Sequence, residues 1–416
     1  MKRLSIFVVF VLLLCLSPVT TTKAQGPLPS AQTSDSYPDK IRTFEEFVRQ
    51  QMETNKIPGL TIGFIKGDYV WVKGFGFADV ESKVPAKADS AYRLASVQKS
   101  MTAVAILQLV EQGKINLDAE IQTYVPYFPK KKYPITVRQL LGHLGGIPHY
   151  VNRDVEQHIK EHKTPREAIA IFENFDLVAE PGTKYSYSSY GYVLLGAAIE
   201  GASKQSYADY MREHIWQPLA MNDTRMDDPL DLIPHRVRGY QLVNGELKNS
   251  EFIDVSSRFG AGGTRGTVVD LLKFLKGVND GKLLSKESTN LMYAPMKTSD
   301  GQPTGYAMGW QIPPFKNRRS IVTNDGGQQE TRTFILNFPE KNFAIALAMN
   351  LEADVYGPLI FQLYKLAVDE ELSIDKPQSP GSWLAAQIDF KAAPNKSWTR
   401  AAGACFATCM ARRRVL

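Results

Sequence analysis

Ser96-Val97-Gln98-Lys99 sets a hydroxyl and an amine three positions apart, and on a helix that spacing brings both to one face. The run that follows, with Val97, Met101, Val104, Ala105, Ile106, Leu107, Leu109 and Val110, is apolar almost all round. It predicts a core helix closed by Gly113 as its C-cap. Ser96 then sits at the positive end of that helix, where its backbone amide suits a developing oxyanion. A lysine half-buried there is driven toward its neutral form, because desolvation disfavours the charged one, and a neutral amine can take the serine proton. Two fixed positions also fit a helix cap with a surface lysine. The apolar helix behind the pair favours the chemical reading.

His158-Ile159-Lys160-Glu161-His162 offers a different chemistry, since two histidines at helical spacing with an acid between them match an inverted zinc-protease pattern. The surrounding residues are polar and supply no third ligand, so a solvated surface helix is favoured. No metal or organic cofactor is expected. Cys405 and Cys409 leave three residues between them, unlike a redox or zinc knuckle, and permit a local disulfide. The remaining cysteine, Cys15, lies in the N-terminal apolar run.

These groups need elements to position them. Thr43 predicts the cap of a helix carrying Phe44, Phe47, Val48 and Met52 at helical spacing, stopped by Ile57-Pro58-Gly59. Leu60 to Ile65 and Tyr69 to Phe75 alternate as strands around a Lys66-Gly67-Asp68 turn. Helical pieces follow, clearest at Tyr192 to Ile199, among loops rich in Gly, Pro and Ser. Strand character returns at Arg332 to Phe338 and Phe343 to Met349, joined by Pro339-Glu340-Lys341-Asn342, and helical periodicity runs through Leu359, Phe361, Leu363, Tyr364 and Val368. Strands at both ends around a helical middle predict a mostly antiparallel sheet of the α/β (α+β) class, flanked by helices and carrying an inserted all-α region.

At 416 residues with 44% hydrophobic content the chain is long enough for one large unit, or for two subdomains about a shared cleft. Lys2 and Arg3 before the apolar run Leu4 to Leu16, with Thr22-Lys23-Ala24 after it, read as a signal peptide over 1–24. That run is too short for a bilayer span, so a secreted or periplasmic protein without a stable membrane span is expected. A polar lead follows over 25–42, the main domain over 43–371, and a basic tail over 372–416. The net charge of +6 is concentrated at the ends: without Lys2, Arg3, Lys23, Lys391, Lys396, Arg400 and Arg412 to Arg414, 40 basic residues face 43 acidic ones. A nucleic-acid partner is therefore not expected.

Pro181-Gly182-Thr183-Lys184-Tyr185-Ser186-Tyr187-Ser188-Ser189-Tyr190-Gly191-Tyr192 adds a second motif. With Tyr92-Arg93-Leu94-Ala95-Ser96, Leu140-Leu141-Gly142-His143, Gly146-Ile147-Pro148, Ala261-Gly262-Gly263 and Gly305-Tyr306-Ala307-Met308-Gly309-Trp310, it resembles the serine β-lactamase-related family over about Thr43 to Glu371. That family includes class C β-lactamases, D,D-carboxypeptidases and esterases. The resemblance implies Ser96 as acylated nucleophile, Lys99 as its base or tuner, and Tyr187 as the group passing a proton to the leaving atom. A tyrosine with its ordinary pKa of about 10 becomes a useful base only beside a cation, and Lys99 is the candidate.

Two positions depart from the family pattern. Ser189 stands where an asparagine usually follows the tyrosine, and Asn324-Asp325-Gly326-Gly327 stands where the third motif usually opens with Lys or His. Ser189, Asn324 and Gly326 are the substrate-binding candidates, and the amides of Ser96 and Gly327 the oxyanion-hole candidates. Asn324 carries no charge and Asp325 brings the wrong sign for a carboxylate, so a neutral ester or amide, small or peptide-like, suits the pocket better than a penicillin. Arg265 and Arg93 are candidates for a replacement charge. The rival readings are a binding protein of the same fold with weak or no activity, and the zinc hydrolase built on His158, Glu161 and His162.

Overall fold

The computed structural model describes residues 37–150, 159–313 and 321–368. The predicted signal peptide, most of the polar lead, the tail with Cys405 and Cys409, and His158 lie outside the described residues. The first helix, Tyr37–Asn55, starts earlier than Thr43 predicts. Thr43 lies inside it, where its hydroxyl donates to the Asp39 carbonyl at 3.1 Å instead of capping.

Six strands form the main sheet in the order Val84–Pro85, Tyr69–Asp79, Gly59–Lys66, Phe343–Met349, Thr331–Phe338 and Val322–Gln328. Every neighbouring pair is antiparallel. Segments from early and late in the chain thus meet at the sheet centre, where Ile62 pairs with Leu347 and Gly63 with Ala346. At the predicted first turn, Lys66 pairs with Tyr69 across Gly67, whose φ of +59° suits glycine in a two-residue hairpin.

Strand Phe343–Met349 explains how the sheet joins two cores. Phe343, Ile345, Leu347 and Met349 share one face by the two-residue period, and pack with Phe44 and Val48 of the first helix and Leu359 and Leu363 of the helix Gly357–Val368. Ala344, Ala346 and Ala348 line the other face and belong to the larger core with the helices Val268–Asn279 and Gln98–Glu111. Alanines there let helix backbones approach closely, while each large residue opposite contributes about 1.5–3 kcal/mol by burial.

The middle of the chain supplies the all-α region, including Ser189–Ser203 and Tyr207–Met211, and it packs against the helix Gln98–Glu111. That helix is buried on all sides, yet its first turns carry Gln98, Lys99, Ser100 and Thr102. Each finds partners in distant loops. Gln98 accepts from Thr264 N at 3.0 Å, Ser100 donates to the Gly309 carbonyl at 2.8 Å, and Thr102 donates to the Gly260 carbonyl at 2.8 Å. These bonds fix the helix start against sheet and α-region together, which holds the nucleophile at their junction.

Candidate active site

Ser96 lies in a tight 3-10 turn, Ala95–Val97, that runs into the helix beginning at Gln98. Ala95, the residue before it, takes a φ of +47°, a left-handed conformation unusual for a side chain with a Cβ. The strained step leaves Ser96 half-exposed while Ala95 and Val97 are buried. A first-turn N–H has no acceptor within its own helix, so the Ser96 amide is available to an anion.

The structure brings Lys99 and Tyr187 to that hydroxyl. Lys99 Nζ is 2.8 Å from Ser96 Oγ and donates to the Ala261 carbonyl at 3.0 Å, and the Tyr187 hydroxyl donates to Ser96 Oγ at 2.9 Å. Lys99 Nζ also lies 5.1 Å from the Tyr187 ring centroid. Burial drives the Lys99 amine well below its usual range, Arg258 pushes it further down, and Asp325 offsets part of this. Burial likewise raises Tyr187, opposed by its bond to Ser96 and assisted by the Asp325 charge. Tyr187 is therefore held as a phenol rather than made a base by a cationic Lys99, which sharpens its expected role to proton donor.

Two histidines support the loop that carries Tyr187. Ser188 N–H donates to His143 Nδ1 at 3.1 Å and Ser189 N–H donates to His149 Nδ1 at 3.2 Å. Both rings must be neutral at Nδ1 to accept, and burial provides this: His143 is held well below its ordinary pKa, and His149 is lowered to about 3, in each case chiefly by desolvation. The His143 ring packs 4.3 Å from Tyr187 and 4.6 Å from Tyr306. Neither histidine's role follows from its own spacing.

The third segment, Val322–Gln328, is the sheet's edge strand and passes beside the nucleophile. A Cβ on Gly326 would come within 2.9 Å of Ser96 N and 2.7 Å of the Leu94 carbonyl, so only glycine permits this approach. Gly327 follows on the exposed side, paired with Arg332. Asn324 is buried, and its amide donates to Ser100 Oγ at 2.9 Å and the Gly309 carbonyl at 3.0 Å. It is a tie between strand and helix. Ser189 is buried as the first residue of its helix, engaged through its backbone with His149.

Arg93 and Arg265 do not reach the site. Both are buried on Asp227, with Arg93 Nε 2.6 Å from Oδ2 and Arg265 Nε 2.8 Å from Oδ1. The guanidinium that influences Lys99 is Arg258, buried 4.8 Å from the Tyr150 ring and donating to Gln328 Oε1 at 3.3 Å. Its nearness to the site arises from packing across distant segments. Of the histidine pattern, Glu161 pairs with Lys163 at 2.5 Å and His162 lies 3.5 Å from Asp254. No group of three or more metal-ligating side chains occurs among the described residues.

A serine sharing its hydroxyl with a buried lysine and a tyrosine, at the junction of an antiparallel sheet and an α-region, defines a class of serine hydrolase site. The Beta-lactamase family model matches residues 44–368, and the chain belongs to that family of β-lactamase-fold serine hydrolases. It is 27% identical over 410 residues to the serine beta-lactamase-like protein LACTB, mitochondrial, of Homo sapiens, covering 75% of this chain and 74% of that one. With penicillin-binding protein 4* of Bacillus subtilis it is 27% identical over 317 residues, covering 73% and 70%. The octameric penicillin-binding protein homologue from Pyrococcus abyssi superposes with a TM-score of 0.67 and 31% identity, covering 79% of this chain and 77% of the other. EstCE1, a hydrolase with promiscuous acyltransferase activity, shares the fold with a TM-score of 0.69 at 19% identity over 79% of this chain and 98% of its own.

Proposed function

We propose that the protein hydrolyses a carboxylate-free ester or amide through an acyl-enzyme on Ser96. The observation that carries this reading is the placement of Ser96 Oγ within 2.8 Å of Lys99 Nζ and 2.9 Å of the Tyr187 hydroxyl. Neutral Lys99 takes the Ser96 proton as Oγ attacks the carbonyl carbon, and the Ser96 and Gly327 amides donate to the oxygen that gains charge. The bond to the leaving atom then breaks as Tyr187 gives it a proton, and the Lys99 ammonium restores the phenol. Water attacks the acyl carbon, gives its proton to the same relay, and Ser96 departs with one.

Substrates with a carboxylate at the third motif fit less well, because Asn324 brings no cation and its amide is engaged by Ser100 and Gly309. EstCE1, a hydrolase with promiscuous acyltransferase activity, and a D-stereospecific amidohydrolase from Streptomyces sp. share the fold, which makes ester and amide chemistry the natural first assays. The apolar run before Ala24 supports export with removal of 1–24, a point that N-terminal sequencing of the mature protein decides.

Intact-mass analysis after treatment with a fluorophosphonate tests the nucleophile. The Ser96 oxygen replaces fluoride on phosphorus, so wild type gains one adduct and Ser96→Ala gains none. A penicillin run in parallel is expected to leave the mass unchanged. No phosphonate adduct on wild type would overturn the assignment.

A further inference from the structure

Asp325 sits between Asn324 and Gly326, the residues that pack against the nucleophile turn, on the edge strand beside the cleft. It is only partly exposed. Gln311 Nε2 donates to its Oδ1 at 2.5 Å. That partner is neutral. Among the described residues Asp325 forms no ion pair, since the neighbouring Arg332 is committed to Asp354 at 2.6 Å. Asp227 and Glu330, by contrast, are each met by guanidinium groups.

A carboxylate partly taken out of water with no ion pair is costly; the Gln311 amide orients it without neutralising it, and the Arg332 charge acts on it only from beyond ion-pair distance. Its field reaches the chemistry. The Asp325 charge acts on Lys99, Tyr185 and Tyr187, all of which line the site. The burial that raises Asp325 above the ordinary carboxylate range is the cost an arriving cation would relieve. The cleft therefore repels anions at the third motif and offers a fixed, partly desolvated acceptor there.

We propose that Asp325 is a specificity-determining residue which receives a protonated amine of the substrate, so that the preferred ester or amide is cationic rather than merely carboxylate-free. The inference rests on the hydrolase reading above. The ammonium group would replace water at Asp325 while Gln311 keeps the carboxylate aimed. A fixed acceptor at the third motif also gives a substrate a defined direction in the cleft.

The test is the rate at which Ser96 is labelled by three alkyl fluorophosphonates of matched length, ending in a primary amine, a methyl group or a carboxylate, each made in two chain lengths. With wild type the amine probe is expected to react at least about tenfold faster than the carboxylate probe at one or both lengths. Asp325→Asn keeps the size and the Gln311 contact, and should collapse that ratio to within about twofold; Asp325→Lys should invert it. Raising the ionic strength should shrink the wild-type ratio and leave that of Asp325→Asn alone. Labelling of wild type with no charge preference, or a preference that survives in Asp325→Asn, overturns this inference and leaves the hydrolase reading standing. Absence of labelling by every probe overturns both.

Discussion

Two buried polar regions flank the segment from Ala91 to Lys99, and they solve the same electrostatic problem in opposite ways. On one side Asp227 is met by Arg93 at 2.6 Å, Arg265 at 2.8 Å and Arg236 at 2.9 Å, with Glu330 closing on Arg265 at 2.9 Å. Burial works to raise Asp227, but Arg265 and Arg93 outweigh it and hold the carboxyl well below the usual range. On the other side Lys99 has a serine hydroxyl and a carbonyl for partners, and burial drives it toward neutrality. Paired charges stay charged and build structure. The fully buried Lys99 amine, with no ion partner, is driven toward its neutral form and becomes available for proton transfer.

Lys99→Met should give the largest effect and separates the two regions cleanly. Turnover of an ester substrate is expected to fall by about a thousandfold or more, since base and nucleophile act as a unit. Stability should stay within about 1 kcal/mol or rise, because an apolar chain of similar length replaces an amine that is costly to bury. Parallel kcat/KM and urea-unfolding measurements check this, and a loss of stability beyond that range would mean that Lys99 also holds the fold.

Asp227→Asn is the converse. It leaves three guanidinium groups short of a buried counter-charge, and a loss of about 3–5 kcal/mol is expected in the same unfolding assay. The fraction that remains folded should still label at Ser96. A variant that is stable but unlabelled would show that the Asp227 cluster acts on the site directly.

The two regions should also separate with pH. Lys99 must be neutral to accept a proton, so kcat/KM rises as pH climbs through its lowered pKa and falls on the acid side. The unfolded chain binds that proton up to about pH 10.4 while the folded chain does not, so this group makes stability grow with pH across the window above its folded value. Asp227 has the depressed value, so its contribution is full above the unfolded carboxylate value of about 3.9 and is lost as pH falls through the folded one. Activity should therefore disappear, on acidification, while circular dichroism still reports a folded protein. Asp227→Asn should remove the Asp227 share of the acid limb of stability without shifting the acid limb of kcat/KM.

How much of this was readable before folding follows the same division. Ser96 and Lys99 were legible because helical spacing makes them neighbours, and Tyr187 because a long motif surrounds it. The antiparallel sheet was legible from alternation and two turn signals, including the pairing of distant ends. Arg93 and Arg265 misled as replacement charges because their partner Asp227 lies 134 and 38 residues away, and nothing local announces it. His143, His149 and Arg258 were invisible as site residues for the same reason: the contacts that define them cross the chain. The first helix was misread at its start because Thr43 looks like a cap, while the preceding turn is helical as well.

Asn324 is where the comparison is sharpest, because it lies in the active-site strand yet behaves like a member of the structural set. Its amide meets Ser100 Oγ and the Gly309 carbonyl, and Ser100 itself also donates to that carbonyl at 2.8 Å. Removing the amide by Asn324→Ala leaves Gly309 with a donor and Ser100 with an acceptor. The expected loss is thus about 1–2 kcal/mol in unfolding free energy, less than a fully orphaned buried group would cost. Lys99 keeps its Ala261 contact, so kcat/KM should fall by less than about tenfold, the order of one neutral hydrogen bond. Should kcat/KM instead collapse as in Lys99→Met while stability holds, Asn324 belongs with the groups that move protons, and the boundary between the two regions runs through the strand rather than beside it.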